Sequence, residues 1–145
     1  MPITIKGSGL EELQRGLSQD FKPIIARGYK RVAEVIWRAV VDEAPKKSGQ
    51  LAGGIGKTPS GEFGWHIYES HKQGIFIRLG TIGHSIYPRK AHALAWPGLL
   101  RPVARVNHPG IRNKNPYPER AVARSAHEVQ LELNVLAEEI ARKIG

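Results

Sequence analysis

The chain has 145 residues, a net charge of +9 and no cysteine. That length suits a single domain, residues 1–145, which can bury roughly two-thirds of its unfolded surface. The lack of cysteine removes disulfides, thiolate metal sites and a cysteine nucleophile from consideration.

No apolar run approaches the roughly 20 residues that cross a bilayer. The first nine residues lack the apolar stretch and cleavage site of a signal peptide. A soluble protein with no membrane partner is therefore expected. The charge is uneven: residues 1–73 carry 11 Lys/Arg and 8 Asp/Glu, residues 117–145 carry 4 and 5, and residues 74–116 carry 7 and none. A middle third of one sign points to a polyanion or an acidic protein surface as partner, or to a solvated face with none.

In chain order, Ile3 and Ile5 alternate with Thr4 and Lys6 as in a short strand. Gly7-Ser8-Gly9 ends it, and Leu10, Leu13 and Leu17 suggest a short helix. Asp20 is placed to cap a long helix. The apolar positions of that helix, Phe21, Ile24, Ile25, Tyr29, Val32, Ile36, Ala39 and Val40, recur at threes and fours. Pro23 falls in the first turn, where it is tolerated, and Ala44-Pro45 stops the helix. Residues 45–64 are punctuated by Gly and Pro. They predict two short strands around a turn at Pro59-Ser60-Gly61, the first anchored by Leu51 and Ile55.

Trp65–Tyr68 and Ile75–Leu79 are the next strand candidates, and Gly80, Gly83 and Pro88 mark a loop. Ala91–Trp96 reads as a strand or an extended segment, and Val103–Val106 as a last strand. Pro118 opens a final helix. Its expected apolar face is Val122, Ala126, Val129, Leu133, Leu136, Ile140 and Ile144, and Arg142 and Lys143 suit its C-terminal dipole. The grouping predicts an α+β fold, with the long helix and the C-terminal helix packed on one face of a small antiparallel or mixed sheet.

Chemistry finds little foothold. The six histidines, His66, His71, His84, His92, His108 and His127, have no zinc-ligand spacing and no clustered carboxylate beside them. General acid–base work needs a tunable group, yet the loop-rich stretch from Gly74 to Pro116 holds no Asp or Glu. Ser48 and Ser85 lack a nucleophile-elbow context. Gly53-Gly54-Ile55-Gly56-Lys57-Thr58 has the wrong spacing for a phosphate loop. No catalytic, cofactor-binding or metal-ligating residue is assigned. Nucleic-acid binding is the alternative function. Arg78, Arg89, Lys90, Arg101, Arg105, Arg112 and Lys114 are interleaved with Tyr87, Trp96 and Tyr117, and cations with aromatics can hold phosphates and stack on bases. No reader motif accompanies them.

Several segments, in order, carry a resemblance. They are Ala44-Pro45 through Gly49-Gln50-Leu51, then Leu79-Gly80-Thr81, then Ile86-Tyr87-Pro88-Arg89-Lys90-Ala91-His92-Ala93-Leu94-Ala95-Trp96. Val106-Asn107-His108-Pro109-Gly110-Ile111 follows, then Pro116-Tyr117 with Ala121. Together they resemble the tail-completion, or head–tail joining, family of long-tailed bacteriophages, which includes minor tail proteins of the Z type. The chain departs from that pattern at Arg78, where the family carries an acidic residue shortly before glycine-threonine.

The resemblance implies a non-enzymatic structural protein of the virion tail or neck, assembled in the host cytoplasm, and it covers tail-completion, tail-terminator and head-closure roles alike. It implies a ring of this chain, six copies on the virion. The neighbours would be head-closure, tail-terminator or tail-tube proteins, with DNA in the channel. Arg78, Arg89, Lys90, Arg112 and Lys114 are the candidate interface residues. Gly80 and Gly110 suit turns with positive φ.

Overall fold

The computed structural model describes residues 3–5, 21–46 and 49–144. The expected helix over Leu10–Leu17, the cap at Asp20 and Ser48 lie outside them. The fold is α+β. Among the described residues there are four helices, α1 (Lys22–Glu43), α2 (Gln50–Gly53), α3 (Gln73–Leu79) and α4 (Tyr117–Ile144). The strands are β1 (Ile3–Ile5), β2 (Ile55–Ser60), β3 (Gly64–Glu69), β4 (His84–Ile86) and β5 (Val106–His108). They form two antiparallel sheets, one ordered β1-β3-β2 and the other β4-β5. By its contacts the chain divides into two compact units, residues 1–74 with 116–145, and residues 75–115.

The first unit holds the core. Ile25, Gly28, Val32, Ile36 and Val40 are buried along α1 at threes and fours, so one helical face is continuous. Phe21 precedes α1 without a side-chain cap, and Pro23 sits in the first turn. Ala44 ends the helix in extended conformation, its N–H donating to the Val40 carbonyl.

α1 packs against α4 and against β2 and β3. Toward the sheet, the Trp37 indole N–H donates to the Ile55 carbonyl at 2.9 Å. Lys57 pairs with Glu34, and its ammonium lies 3.8 Å from the centre of the Trp37 ring. Toward α4, the Arg31 guanidinium reaches Glu132 at 2.7 Å and Glu139 at 3.3 Å. Glu43 reaches Arg120 at 3.3 Å and Arg124 at 2.9 Å. Contacts that run 28 to 136, 31 to 132 and 139, and 43 to 120 and 124 make the two helices antiparallel.

At Gly28 the Leu136 side chain of α4 occupies the space a side chain would need. A Cβ there would fall 2.7 Å from the Leu136 methyls. On α4 the buried residues are Tyr117, Pro118, Ala121, Ser125 and Leu136. The expected face is thereby corrected: Val122, Ala126, Leu133 and Ile144 are exposed. Ala121 and Ser125, both small, lie on the buried side of α4. Arg31 draws the Glu132–Glu139 side inward, so the packed stripe is turned away from the row of larger apolar residues.

Between the strands the turn falls at Gly61–Phe63, not at Pro59–Gly61. Ser60 pairs with Gly64 and Gly61 has φ +71°. The sheet tolerates Pro59 because β2 is an edge strand, where a missing N–H costs no ladder bond. Leu51 is buried on α2 rather than on a strand, and Ile55 opens β2, buried as expected.

Ile75–Leu79, expected as a strand, is the greater part of helix α3. The Glu69 carboxylate lies over Gly74 in its first turn, so close that a Cβ would fall 1.6 Å from Oε1, and a negative charge suits a helix N-terminus. Glu69 Oε2 accepts a 2.7 Å bond from the Tyr117 hydroxyl, tying the end of β3 to the start of α4. The expected strand at Val103–Val106 begins only at Val106. Leu94 and Val103 form an isolated bridge where Ala91–Trp96 was expected to extend.

Two outcomes are expected. Tyr117→Phe leaves the Glu69 carboxylate short of a donor and should cost about 1–3 kcal/mol in urea unfolding. The Lys57 hydrogen bond holds the Glu34 carboxyl below its ordinary value of 4.5, and the Arg124 hydrogen bond does the same for Glu43. Depressed carboxyls contribute stability above the unfolded-state value and lose it as pH falls through the folded-state value. Thermal stability should therefore drop as pH falls below about 4.5, and less steeply in a Glu34→Gln, Glu43→Gln variant.

Candidate docking surface

The second unit is built on one antiparallel ribbon. His84 pairs with His108, Ser85 with Asn107 and Ile86 with Val106. The Thr81–Ile111 bridge continues the same register. At the bridge Thr81 N–H donates to the Ile111 carbonyl at 3.1 Å, and Ile111 N–H donates back at 3.0 Å and also lies 2.9 Å from Thr81 Oγ1.

Gly80 and Gly110 flank this bridge with φ of +77° and +80°, as the sequence predicts. A Cβ on Gly110 would stand 2.3 Å from the Thr81 carbonyl oxygen, and one on Gly80 would stand 2.6 Å from that of Ile111. The Leu79-Gly80-Thr81 and His108-Pro109-Gly110-Ile111 segments thus meet across one bridge. Gly80 follows a helix here rather than a strand.

Along the ribbon the His84 and His108 rings lie 5.3 Å apart, and the Ser85 hydroxyl donates to Asn107 Oδ1 at 2.8 Å. Gly110 N–H donates to His108 Nδ1 at 3.1 Å. Among the described residues no group of three metal-ligating side chains is found. Lys57, in the glycine-rich segment Gly53–Thr58, lies in β2 and is engaged by Glu34 and Trp37. In the first unit, Asp42 and Glu128 line a cleft of about 330 Å³ with Arg38, Arg124, Val35, Ala39 and Ser125. Sequence reading does not single this cleft out, and its four charged side chains are exposed.

The five candidate cations are all in or beside the ribbon but are not brought together. Arg78 is in the last turn of α3. Arg112 and Lys114 follow Ile111 at the bridge end, where Asn115 N–H donates to the Ile77 carbonyl at 3.1 Å. Arg89 and Lys90 leave the ribbon past Ile86, at its other end. The paired length between these ends is about 17 Å at the usual strand rise. Arg89, Lys90, Arg112 and Lys114 are exposed.

Among the described residues, which include all of 75–115, no side chain of the second unit is buried. Most of its large apolar groups face solvent: Ile75, Phe76, Leu79, Ile82, Ile86, Tyr87, Trp96 and Leu100 are exposed, Ile82 at 87%, while Ile77, Leu94, Leu99 and Ile111 are half-buried. Sequence reading anticipates the cations but not this exposure. So many large apolar side chains in 41 residues would normally predict a small core.

No protein-family model, curated protein or solved structure matches the chain. No described helix is long and apolar enough to cross a membrane.

Gly110→Ala should open the ribbon. It places a side chain at positive φ against backbone, a strain of about 1–3 kcal/mol. Hydrogen exchange of the β4 and β5 amides should quicken roughly tenfold or more, while the α1 and α4 amides keep their protection.

Proposed function

We propose that this chain is a structural virion protein that completes the tail of a long-tailed bacteriophage, or joins it to the head, as part of a neck ring. It works by contact rather than by catalysis. The observation that carries this reading is the second unit, a 41-residue ribbon without acid or buried side chain that presents apolar and cationic groups together. Units of that size seldom hold a fold without staples. There are no cysteines, so the ribbon fits an element whose apolar surface is completed by assembly. The ordered segments from Ala44-Pro45 to Pro116-Tyr117 give the reading its family.

Within it, Arg78, Arg89, Lys90, Arg112 and Lys114 face acidic surfaces on neighbouring head-closure, tail-terminator or tail-tube rings. Exposed ion pairs contribute about 0.2–1 kcal/mol each, so single reversals should be mild. In a phage carrying a nonsense mutation in this gene, DNA-filled heads and tails should accumulate unjoined. Labelled protein should lie on the tail axis of finished particles. Arg89→Glu with Lys90→Glu should leave the fold intact and lower the yield of joined particles. Normal joining in the nonsense mutant, or label away from the tail axis, would overturn the reading.

A second reading, nucleic-acid binding, has one observation in its favour. Tyr87 and Trp96 are both about half exposed, close in sequence to Arg89, Lys90 and Arg101. It requires that the isolated protein bind arbitrary duplex DNA with affinity falling steeply as salt rises.

A further inference from the structure

Two exposed apolar faces in this chain carry opposite charge. The first belongs to α3 and the start of the ribbon. Ile75, Phe76 and Leu79 are each about half exposed at helical spacing, and Ile82 follows almost fully exposed. Arg112 and Lys114 stand beside them at the bridge end of the ribbon, with the Lys114 Cγ 3.5 Å from where a Cβ on Gly80 would be.

The second face is on α4. Glu128, Leu131, Val135 and Glu138 recur at threes and fours, so they share one side of the helix, and all four are exposed. From Ser125 to Ala141 the chain has four Glu and no Lys or Arg, whereas residues 75–115 have seven Lys/Arg and no acid. Arg31 takes up two of those acids, Glu132 and Glu139. Glu138 makes an exposed 3.4 Å contact with Arg142 one turn on, which is a weak pairing.

We infer that the Ile75–Phe76–Leu79–Ile82 face of one copy docks on the Glu128–Leu131–Val135–Glu138 stripe of a second copy, head to tail. Apolar side chains meet in the centre, and Arg112 and Lys114 meet Glu128 and Glu138 at the rim. A nucleic acid suits this face less well, because three of its four apolar side chains, Ile75, Leu79 and Ile82, are aliphatic and offer no stacking plane to set beside Phe76. The α4 stripe provides both the apolar centre and the acids that the cationic face lacks. The contact joins unlike surfaces, so each added copy leaves one of each free until a ring closes. The inference rests on the reading above only for the ring as its end point. Its test uses the isolated protein, so its failure would leave that reading to be decided on particles.

Light scattering of the full chain across a concentration series should show species above twice the 16.0 kDa chain mass. Leu79→Glu with Ile82→Glu removes one face, and Leu131→Lys with Val135→Lys removes the other. All four positions are exposed, and each variant alone should run as a monomer. Mixed together, the two variants should form a one-to-one dimer and nothing larger, because one intact face of each kind remains. That dimer also shows that both variants still fold. A wild-type chain that stays monomeric, or stops at two copies, would overturn the inference. So would a double variant that assembles like wild type, or a mixture that does not pair. A wild-type monomer that binds duplex DNA would overturn it in favour of a nucleic-acid face.

Discussion

Arg31 is the fixed point of the first unit. Its guanidinium holds Glu132 and Glu139, two turns apart on α4, and so sets both the register and the rotation of the helix pair. An ion pair of this kind, with side chains about 30% exposed, adds modestly to stability. Its larger effect is on which face of α4 is turned inward. With Glu132 and Glu139 drawn toward α1, Leu136 lies over Gly28 and Ala121 is fully buried. Leu131, Leu133 and Val135 are left outside. The exposed stripe on α4 is thus a consequence of how the core is built.

This also marks where the sequence is legible. Both long helices can be read from apolar residues at threes and fours, β1 from its alternation, β3 as a short run, and β2 from the Gly and Pro around it, though with its turn two residues early. The packed face of α4 cannot be read that way. Two overlapping stripes satisfy helical spacing, and the choice between them depends on small residues and on a charge pair 101 residues apart in sequence. The segment from Ile75 to Leu79 fails for a related reason. Ile75, Ile77 and Leu79 fit a strand, while Ile75, Phe76 and Leu79 fit a helix turn, and the Glu69 carboxylate over Gly74 favours the helix. The basic stretch is visible from composition alone. Its division into cations at two ends of a ribbon is not, because that follows from pairing His84 with His108 across a long intervening loop.

The two units solve different physical problems. The first buries Ile25, Ile36, Val40, Leu51, Ile55, Phe63 and Ile67 and places its ion pairs around that core. The second holds its backbone together with cross-strand bonds and glycine-permitted turns, and leaves much of its apolar surface exposed. Like charges along one ribbon repel, which favours an extended pairing over a collapsed one. Compensation has to come from acids elsewhere.

The bond from Asn115 N–H to the Ile77 carbonyl has a further meaning. It closes the second unit on itself, because the chain that runs out along α3 is bonded back to that helix just before Pro116. Closing a loop costs entropy that grows only with the logarithm of its length. The segment between Gly80 and Ile111 could therefore lengthen, shorten or be exchanged for another ribbon with little penalty to the helices, provided its ends still meet at Thr81 and Ile111. The ribbon behaves as an interchangeable fitting. Variation among proteins built this way should concentrate in the fitting, where a change of partner can be made without rebuilding the core.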